Sequence, residues 1–280
     1  MDHLTCGELT LYWLNGGGIR LDAGAMFGVV PKPLWSKRIA ANEFNQIETR
    51  TDPIYFQLNG KHILIDAGLG FGKLTDKQKR NYGVDEESRI IESLDELQLK
   101  PEDIDIICMT HLHFDHASGL TKIEDNQYVS VFPNAMIYVS QIEWDEMRAP
   151  NLRSKNTYWE ENWLPIKSQV QTFEESIQIE EKINMFHTGG HSAGHSIILL
   201  HTEAGTVIHL ADLLPTIAHK PSLWVTAYDD YPLDSIHAKE KWIHPSISQN
   251  SWFIFYHDDT YRAVKWNSEG KIVSQLKRNK

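Results

Sequence analysis

A short run of histidines with one aspartate is the part of this sequence best equipped for chemistry. Residues 110–116 read THLHFDH. In an extended segment alternate residues point to the same side, so His111 and His113 can hold one cation. A turn after them can aim Asp115 and His116 at a second cation. Neutral imidazoles and carboxylates suit zinc, manganese, iron or cobalt, so the spacing predicts a metal site, with a chance histidine-rich loop as the alternative.

The motif resembles the signature of the metallo-β-lactamase superfamily, which requires three more ligands at the ends of later strands. Each is present in the expected order. His191 lies in a glycine-rich loop, Asp212 follows an apolar strand, and His257 ends a late aromatic strand. The resemblance extends from about residue 9 to about residue 260. It implies the fold of that family, an α+β protein built as an αββα sandwich of two mixed sheets flanked by helices.

The resemblance also implies a centre of two divalent metal ions per chain, with zinc as the first expectation and manganese, iron or cobalt as alternatives. Three imidazoles would hold one ion, and one carboxylate and two imidazoles would hold the other, with Asp212 bridging them. The first set is His111, His113 and His191, and the second set is Asp115, His116 and His257. Asp66, at the end of an early strand, and His195 are expected to orient ligands rather than to bind metal, and a purely structural role is the alternative for His195.

Within the superfamily the chain resembles quorum-quenching lactonases of the YtnP-like branch and, beyond them, N-acyl homoserine lactonases and methyl parathion hydrolases. The segments that carry this resemblance are 14–17, 24–31, 111–119, 211–216 and 224–232. The resemblance implies a metal-dependent hydrolase that opens the ester ring of a lactone, of the acyl homoserine lactone or γ-butyrolactone type. A hydroxide shared by both ions would attack the carbonyl. Asp115 would carry a proton to the leaving oxygen, while Asp212 holds both ions.

Substrate contacts are expected on an apolar rim and near the metal centre. Acyl homoserine lactonases place a tyrosine three residues after the bridging aspartate, where this chain has Pro215. Packing in the core or at a dimer interface is the alternative for apolar residues of the rim. The candidate contacts are Tyr228 and Tyr231 in place of the missing tyrosine, and Met26, Phe27 and Trp35 on the rim.

Other activities compete for the same set of ligands. An organophosphate or phosphotriester hydrolase would use it too, because in-line attack at phosphorus also suits two metal ions. A hydrolase of other carboxylic esters is a further alternative. So is a metal-binding sensor without catalysis, which is weakened because all seven ligand positions are filled. Substrate profiling separates these alternatives.

Short strands and helices must bring these residues together. Asn59-Gly60 between two apolar runs predicts a β-hairpin, because both residues tolerate positive φ. Apolar residues at helical spacing predict a helix over 85–99. An unbroken apolar run at 104–109 predicts a buried strand directly before the metal motif. Mixed strands and helices of this kind suit two packed sheets with helices outside them.

Charge and composition limit the partners and the organisation of the chain. The 280 residues include 27 Lys and Arg against 38 Asp and Glu, a formal charge of −11, which opposes binding to nucleic acid or to an anionic membrane. Two cysteines exclude a disulfide scaffold and a cysteine-based zinc module. No linker divides the chain, which predicts one domain over 1–280 with two pseudo-repeated halves, about 1–150 and 151–280.

The cellular context follows from two further features of the sequence. No run reaches the ~20 apolar residues of a membrane span. The N-terminus has no basic start followed by an apolar stretch, as a signal peptide would. We therefore expect a cytoplasmic protein that acts on a small neutral lactone or ester, without a nucleic-acid or membrane partner. The resemblance implies a homodimer.

Overall fold

Two seven-stranded sheets contain most of the strands in the computed structural model, which describes residues 1–279. The strands are β1 (His3–Cys6), β2 (Leu9–Trp13), β3 (Gly18–Asp22), β4 (Gln46–Arg50), β5 (Ile54–Leu58), β6 (Lys61–Ile65), β7 (Val84–Glu86), β8 (Ile106–Cys108), β9 (Thr121–Glu124), β10 (Gln127–Ser130), β11 (Met136–Ser140), β12 (Val170–Phe173), β13 (Ser176–Glu180), β14 (Ile183–His187), β15 (Ser196–Thr202), β16 (Gly205–His209), β17 (Trp252–Ile254), β18 (Tyr261–Trp266) and β19 (Ile272–Lys277). The helices are α1 (Ala23–Phe27), α2 (Lys32–Trp35), α3 (Asp76–Tyr82), α4 (Ile90–Glu96), α5 (Phe114–Ala117), α6 (Gln141–Arg148), α7 (Glu160–Trp163) and α8 (Pro232–Ser248).

The two sheets are each mixed in strand direction. The first has the order β1-β2-β5-β6-β8-β11-β12, and the second has the order β13-β14-β15-β16-β17-β18-β19. Strands β6, β8, β11 and β12 pair in parallel, as do β16 and β17, while their neighbours are antiparallel. Because parallel strands end at the same edge of a sheet, the loops after β6, β8, β16 and β17 emerge on the edges where the candidate ligands lie.

The predicted hairpin is present as β5 and β6, which pair with Leu58 opposite Lys61. The two turn residues, Asn59 and Gly60, have φ values of 52° and 79°. Both values lie in the left-handed region that these residues tolerate best, as two-residue hairpin turns require. The hairpin leaves Asp66 directly after β6 and beside the end of β8.

Apolar side chains join the sheets face to face. Between them, Ile65 and Cys108 of the first sheet pack with Met185, Ile198 and Ile254 of the second, all at most 2% exposed. Helix α4 covers the outer face of the first sheet, and α8 covers the outer face of the second. The predicted α+β sandwich of two mixed sheets with helices outside is therefore confirmed.

The helix expected over 85–99 is shorter than predicted. Residues Val84–Glu86 form strand β7 instead, which pairs with β3, and α4 covers only Ile90–Glu96. The Glu86 carboxylate lies 2.7 Å from Arg50 Nη1, an ion pair that helical spacing in the sequence does not reveal. Pairing with a distant strand therefore overrides the local helical pattern here.

Each large sheet is built from one continuous part of the chain. The first sheet ends at Phe173 and the second begins at Ser176, later than the division expected near residue 150. Within residues 1–279, the helices are all too short or too polar to cross a membrane.

Candidate metal centre

Three imidazoles meet where two loops leave the sheets. The buried loop after β8 carries His111 and His113, and the loop after β14 carries His191. Gly190, with a φ of 97°, lets the second loop approach α8, where a Cβ would lie 2.6 Å from Ser235 Oγ. His113 Nδ1 lies 3.0 Å from His191 Nε2. We refer to His111, His113 and His191 as group 1.

A carboxylate and two imidazoles form a second group. Asp115 and His116 lie in the short helix α5, directly after the histidine loop, and His257 follows β17. His116 Nε2 lies 3.1 Å from His257 Nε2, and Asp115 Oδ2 lies 3.6 Å from the same nitrogen of His257. We refer to Asp115, His116 and His257 as group 2.

Asp212 stands between the two groups. It follows β16, whose parallel pairing with β17 brings both strand ends to the same edge. Its Oδ2 lies 3.2 Å from His191 Nε2 in group 1. Its Oδ1 lies 3.3 Å from His116 Nε2 and 3.1 Å from His257 Nε2, both in group 2. One carboxylate oxygen therefore faces each group, which is the arrangement that a carboxylate shared by two cations needs.

The nitrogen and oxygen donor atoms of both groups and of Asp212 face a common centre. His111 Nε2 and Asp212 Oδ1 are buried and have no hydrogen-bond partner within the described part of the chain. The Nδ1 atoms of His116, His191 and His257 each bond to an oxygen away from the centre, which leaves their Nε2 atoms facing inward. In group 1, in group 2, and in the set of His111, His116 and Asp212, the ligand atoms lie within 4.8 Å of one another. These residues are suited to binding metal.

Carboxylates and burial together set the protonation of the centre. Burial lowers the pKa of His191, but the carboxylates of Asp212 and Asp229 outweigh it and raise that pKa to about 9. Burial and the neighbouring imidazoles lower the pKa of His113 well below its ordinary value. Burial opposes ionisation of Asp212, yet the surrounding imidazoles lower its pKa far below the ordinary value. The centre therefore pairs an ionised carboxylate with imidazoles, and a bound cation would take the place of the proton on His191.

Asp66 orients one ring of group 2. Its fully buried carboxylate accepts a hydrogen bond from the Thr110 backbone N–H at 2.8 Å and another from His116 Nδ1 at 2.9 Å. These contacts direct His116 Nε2 toward the centre, in keeping with the orienting role expected for Asp66. His195 is also buried, and its ring packs against that of His111 at a centroid distance of 5.4 Å.

Two carboxylates beside the centre were missed by sequence reasoning. Asp229 Oδ1 accepts a hydrogen bond from His191 Nδ1 at 3.0 Å, and Glu143 Oε1 accepts one from the Leu112 backbone N–H at 2.7 Å. A ligating histidine usually donates its second ring nitrogen to an oxygen, so a partner for His191 is expected. Asp229 lies in segment 224–232, where the sequence already placed a candidate substrate contact, and this position could have pointed to it. Glu143 lies in helix α6, and the sequence gives no signal for it.

A cleft of about 470 Å³ opens beside both groups. Asp115, Asp212 and ligand residues of both groups line its floor. Met26 and Tyr228, both expected as substrate contacts, lie on its walls. Pro215, which occupies the position of the missing tyrosine, also borders it. The walls near Met26 are apolar and include Ile19, Leu21 and Phe114.

Phe27 and Trp35 do not lie on the rim, contrary to the prediction. Both are at most 2% exposed, and their rings stack at 5.1 Å. His219, from a distant segment, stacks on the other side of Phe27 at 4.6 Å and bonds through Nε2 to the Met26 backbone carbonyl at 2.8 Å. The pair is therefore core packing that supports Met26. Tyr231 is 42% exposed and is not among the residues that line the cleft.

Residues 50–243 match the Metallo-beta-lactamase superfamily, and the chain belongs to that superfamily. The match contains group 1, Asp212 and two members of group 2, while His257 lies beyond its end. The fold and the superfamily resemblance expected from the histidine motif are thereby confirmed. The protein is a metallo-hydrolase of this superfamily with a His and Asp cluster suited to binding metal.

Known relatives agree with this class. An N-acyl homoserine lactonase from Bacillus cereus is 30% identical over 125 residues, which are 45% of this chain and 44% of that protein, so the match spans less than half of the relative. The solved structure of a probable metal-dependent hydrolase from Staphylococcus aureus is 48% identical, covers 99% of both chains and has a TM-score of 0.95. AidC, a dizinc quorum-quenching lactonase, is 18% identical, covers 99% of this chain and 98% of its own, and has a TM-score of 0.80, which shows the shared fold.

Proposed function

We propose that this protein opens the ester ring of a lactone, of the acyl homoserine lactone or γ-butyrolactone type. The observation that carries the proposal is Asp212, whose two carboxylate oxygens face group 1 and group 2 separately, at 3.1 to 3.3 Å from three imidazole nitrogens. This arrangement suits two cations side by side at the floor of a cleft. The partial match to N-acyl homoserine lactonases supports a lactone as the ester.

We further propose that group 1 and group 2 each hold one divalent ion, zinc first, with manganese, iron or cobalt as alternatives. When bound, such ions polarise an ester carbonyl and lower the pKa of a water molecule to about 7, which makes it a nucleophile at neutral pH. Asp212, with one oxygen toward each group, would hold both ions.

The chain's own residues supply proton transfer and substrate orientation. Asp115 lines the cleft, and its side chain is 13% exposed, so its carboxylate can reach both the centre and a bound ester. We assign it the transfer of a proton from the attacking water to the ring oxygen as the ester bond breaks. The apolar wall of Ile19, Leu21 and Met26 suits the hydrocarbon part of a neutral substrate.

Tyr228 is the residue that we propose in place of the tyrosine missing at Pro215. It lines the cleft, whereas Tyr231 does not. Burial, with the charges of Asp22 and Asp115, raises the pKa of Tyr228 to about 12, so its hydroxyl is protonated at neutral pH and can donate to the substrate. Tyr228→Phe should lower kcat/KM by about tenfold to a hundredfold, the value of one hydrogen bond of roughly 1–3 kcal/mol. Tyr231→Phe is the matched control and should leave kcat/KM unchanged. Equal effects of both variants would refute the assignment.

The test of the proposed function is substrate profiling of the zinc-loaded protein. Acyl homoserine lactones with short and long tails, γ-butyrolactones, linear esters and a paraoxon-type triester are compared by kcat/KM. We expect the highest value for a lactone and its loss in Asp212→Asn. A highest value for the triester would replace the lactonase proposal with a phosphotriesterase. Failure to hydrolyse any of these substrates would contradict the proposed function.

A further inference from the structure

Glu143 is a fully buried acid whose carboxylate accepts three hydrogen bonds. Oε1 receives the backbone N–H of Leu112 at 2.7 Å and the hydroxyl of Tyr158 at 2.7 Å. Oε2 receives the hydroxyl of Ser192 at 2.6 Å. Burial raises the pKa of Glu143, whereas the three donors favour the ionised carboxylate and act against that rise. Hydrogen bonds to an ionised carboxylate are about twice as strong as neutral ones.

The three donors come from the surroundings of one ligand group. Leu112 lies between His111 and His113 in the chain, and Ser192 follows His191. The ring of Tyr158 packs against that of His113 at a centroid distance of 5.2 Å. One carboxylate therefore joins both loops that carry group 1, although these loops leave strands of different sheets.

Helix α6 is fixed where it presents Glu143. Ser140, the residue before the helix, accepts the Glu143 backbone N–H at 3.1 Å and donates its hydroxyl to the Gly194 carbonyl at 2.6 Å. A Cβ on Gly194 would lie 2.1 Å from the Glu143 backbone nitrogen, so only glycine permits this contact. The first turn of α6 is thus locked against the loop that carries His191.

We propose that Glu143 is a positioning residue that assembles group 1 for metal binding, in parallel with the role of Asp66 at group 2. The inference rests on the proposed use of both groups as metal ligands. Glu143 should act on one group only. It bonds to the loops of group 1, whereas the orienting carboxylate of group 2 is Asp66, which bonds to His116. Loss of Glu143 should therefore weaken one ion and spare the other.

Glu143→Gln is the test. The amide oxygen can still accept from Leu112 and Tyr158, but the NH2 group that replaces Oε2 donates to Ser192 instead of accepting from it. The negative charge that strengthens all three bonds is also lost. We expect the zinc affinity of group 1 to fall about 10- to 100-fold, as other losses of orienting partners do. The metal-free protein is titrated with zinc in a chelator buffer, and histidine side-chain NMR signals assign each binding step to group 1 or group 2. Glu146→Gln is the matched control, since Glu146 lies in the same helix but bonds to Asn151 and Ser154.

The outcomes are distinct. Selective weakening at group 1, with Glu146→Gln unchanged, supports the proposal, and unchanged zinc affinity or equal weakening at both groups overturns it. Should Glu143→Gln fail to fold, Tyr158→Phe removes a single donor and must weaken the same group by a smaller factor, and no weakening at group 1 would overturn the proposal. The readout needs no turnover, so a protein that binds zinc but opens no lactone refutes the proposed substrate and leaves the Glu143 result intact.

Discussion

Replacing Asp66 by asparagine should selectively weaken the ion at group 2. Asp66 Oδ1 receives the Thr110 backbone N–H at 2.8 Å, and Oδ2 receives His116 Nδ1 at 2.9 Å. The Thr110 hydroxyl contacts both oxygens, at 3.1 Å and 2.8 Å. An asparagine has one oxygen and one amide nitrogen, so in either orientation one N–H faces another N–H. Relief of that conflict at His116 requires a change of tautomer, which places the ring proton on Nε2 and removes the lone pair that faces the centre.

The size of the effect follows from the bond that is lost. A hydrogen bond to a charged group contributes about 1.5–3 kcal/mol. Since about 1.4 kcal/mol corresponds to a tenfold change in an equilibrium constant, zinc affinity at group 2 should fall about 10- to 150-fold. Asp66 is fully buried, so solvent does not replace the bond.

The assay is zinc titration of the metal-free variant in a chelator buffer, with a thermal melt of the same sample. Asp2→Asn is the control for loss of a buried carboxylate, because Asp2 pairs with Arg262 at 2.8 Å and contacts neither ligand group. That control should lower the melting temperature and leave both zinc affinities unchanged. Unaltered zinc binding in Asp66→Asn, or equal weakening at both groups, would refute the reasoning.

Two further predictions concern stability and assembly. Burial lowers the pKa of Lys239 to about 7 in the fold, against 10.5 as its ordinary value. Between pH 7 and pH 10.5 the unfolded chain therefore binds more protons than the folded chain, and the free energy of unfolding rises with pH. Relative to Lys239→Met, the free energy of unfolding of the wild type should rise by at most about 1.4 kcal/mol per pH unit. A pH-independent difference in urea unfolding between pH 7 and 9 would contradict this. The homodimer stays a prediction. The side chains of Val29 and Phe44 are 89% and 73% exposed, and if this segment forms the interface, Phe44→Glu should give a monomer by light scattering. A monomeric wild type would contradict the dimer.

The candidate ligands could be predicted because their chemistry is local and their order along the chain is readable. Four of them lie within residues 111–116, and the other three follow later strands in the order that the superfamily resemblance requires. Parallel pairing of β16 with β17 then brings Asp212 and His257 to one edge. The fold class followed from the resemblance to the superfamily, and the mixture of apolar strands and helices agreed with it.

The remaining features depend on contacts between distant parts of the chain. Phe27 reads as a rim residue in the sequence, but His219, far along the chain, stacks on it and buries it. In the sequence, Glu143 cannot be told apart from a solvent-exposed glutamate of a helix. The groups that donate hydrogen bonds to it lie in loops before and after it in the chain. The helix expected over 85–99 begins later than predicted because residues 84–86 pair with β3. Local patterns do not contain these contacts.

If Asp212 joins two metal ions in one site, as proposed, the metal content of the protein shows it most directly. The purified protein is loaded with excess zinc, freed of loosely bound ions, and analysed by elemental mass spectrometry beside Asp212→Asn. The arrangement of Asp212 between group 1 and group 2 predicts about two ions per wild-type chain and fewer in the variant. One ion or none in the wild type, or an undiminished content in Asp212→Asn, would contradict the claim.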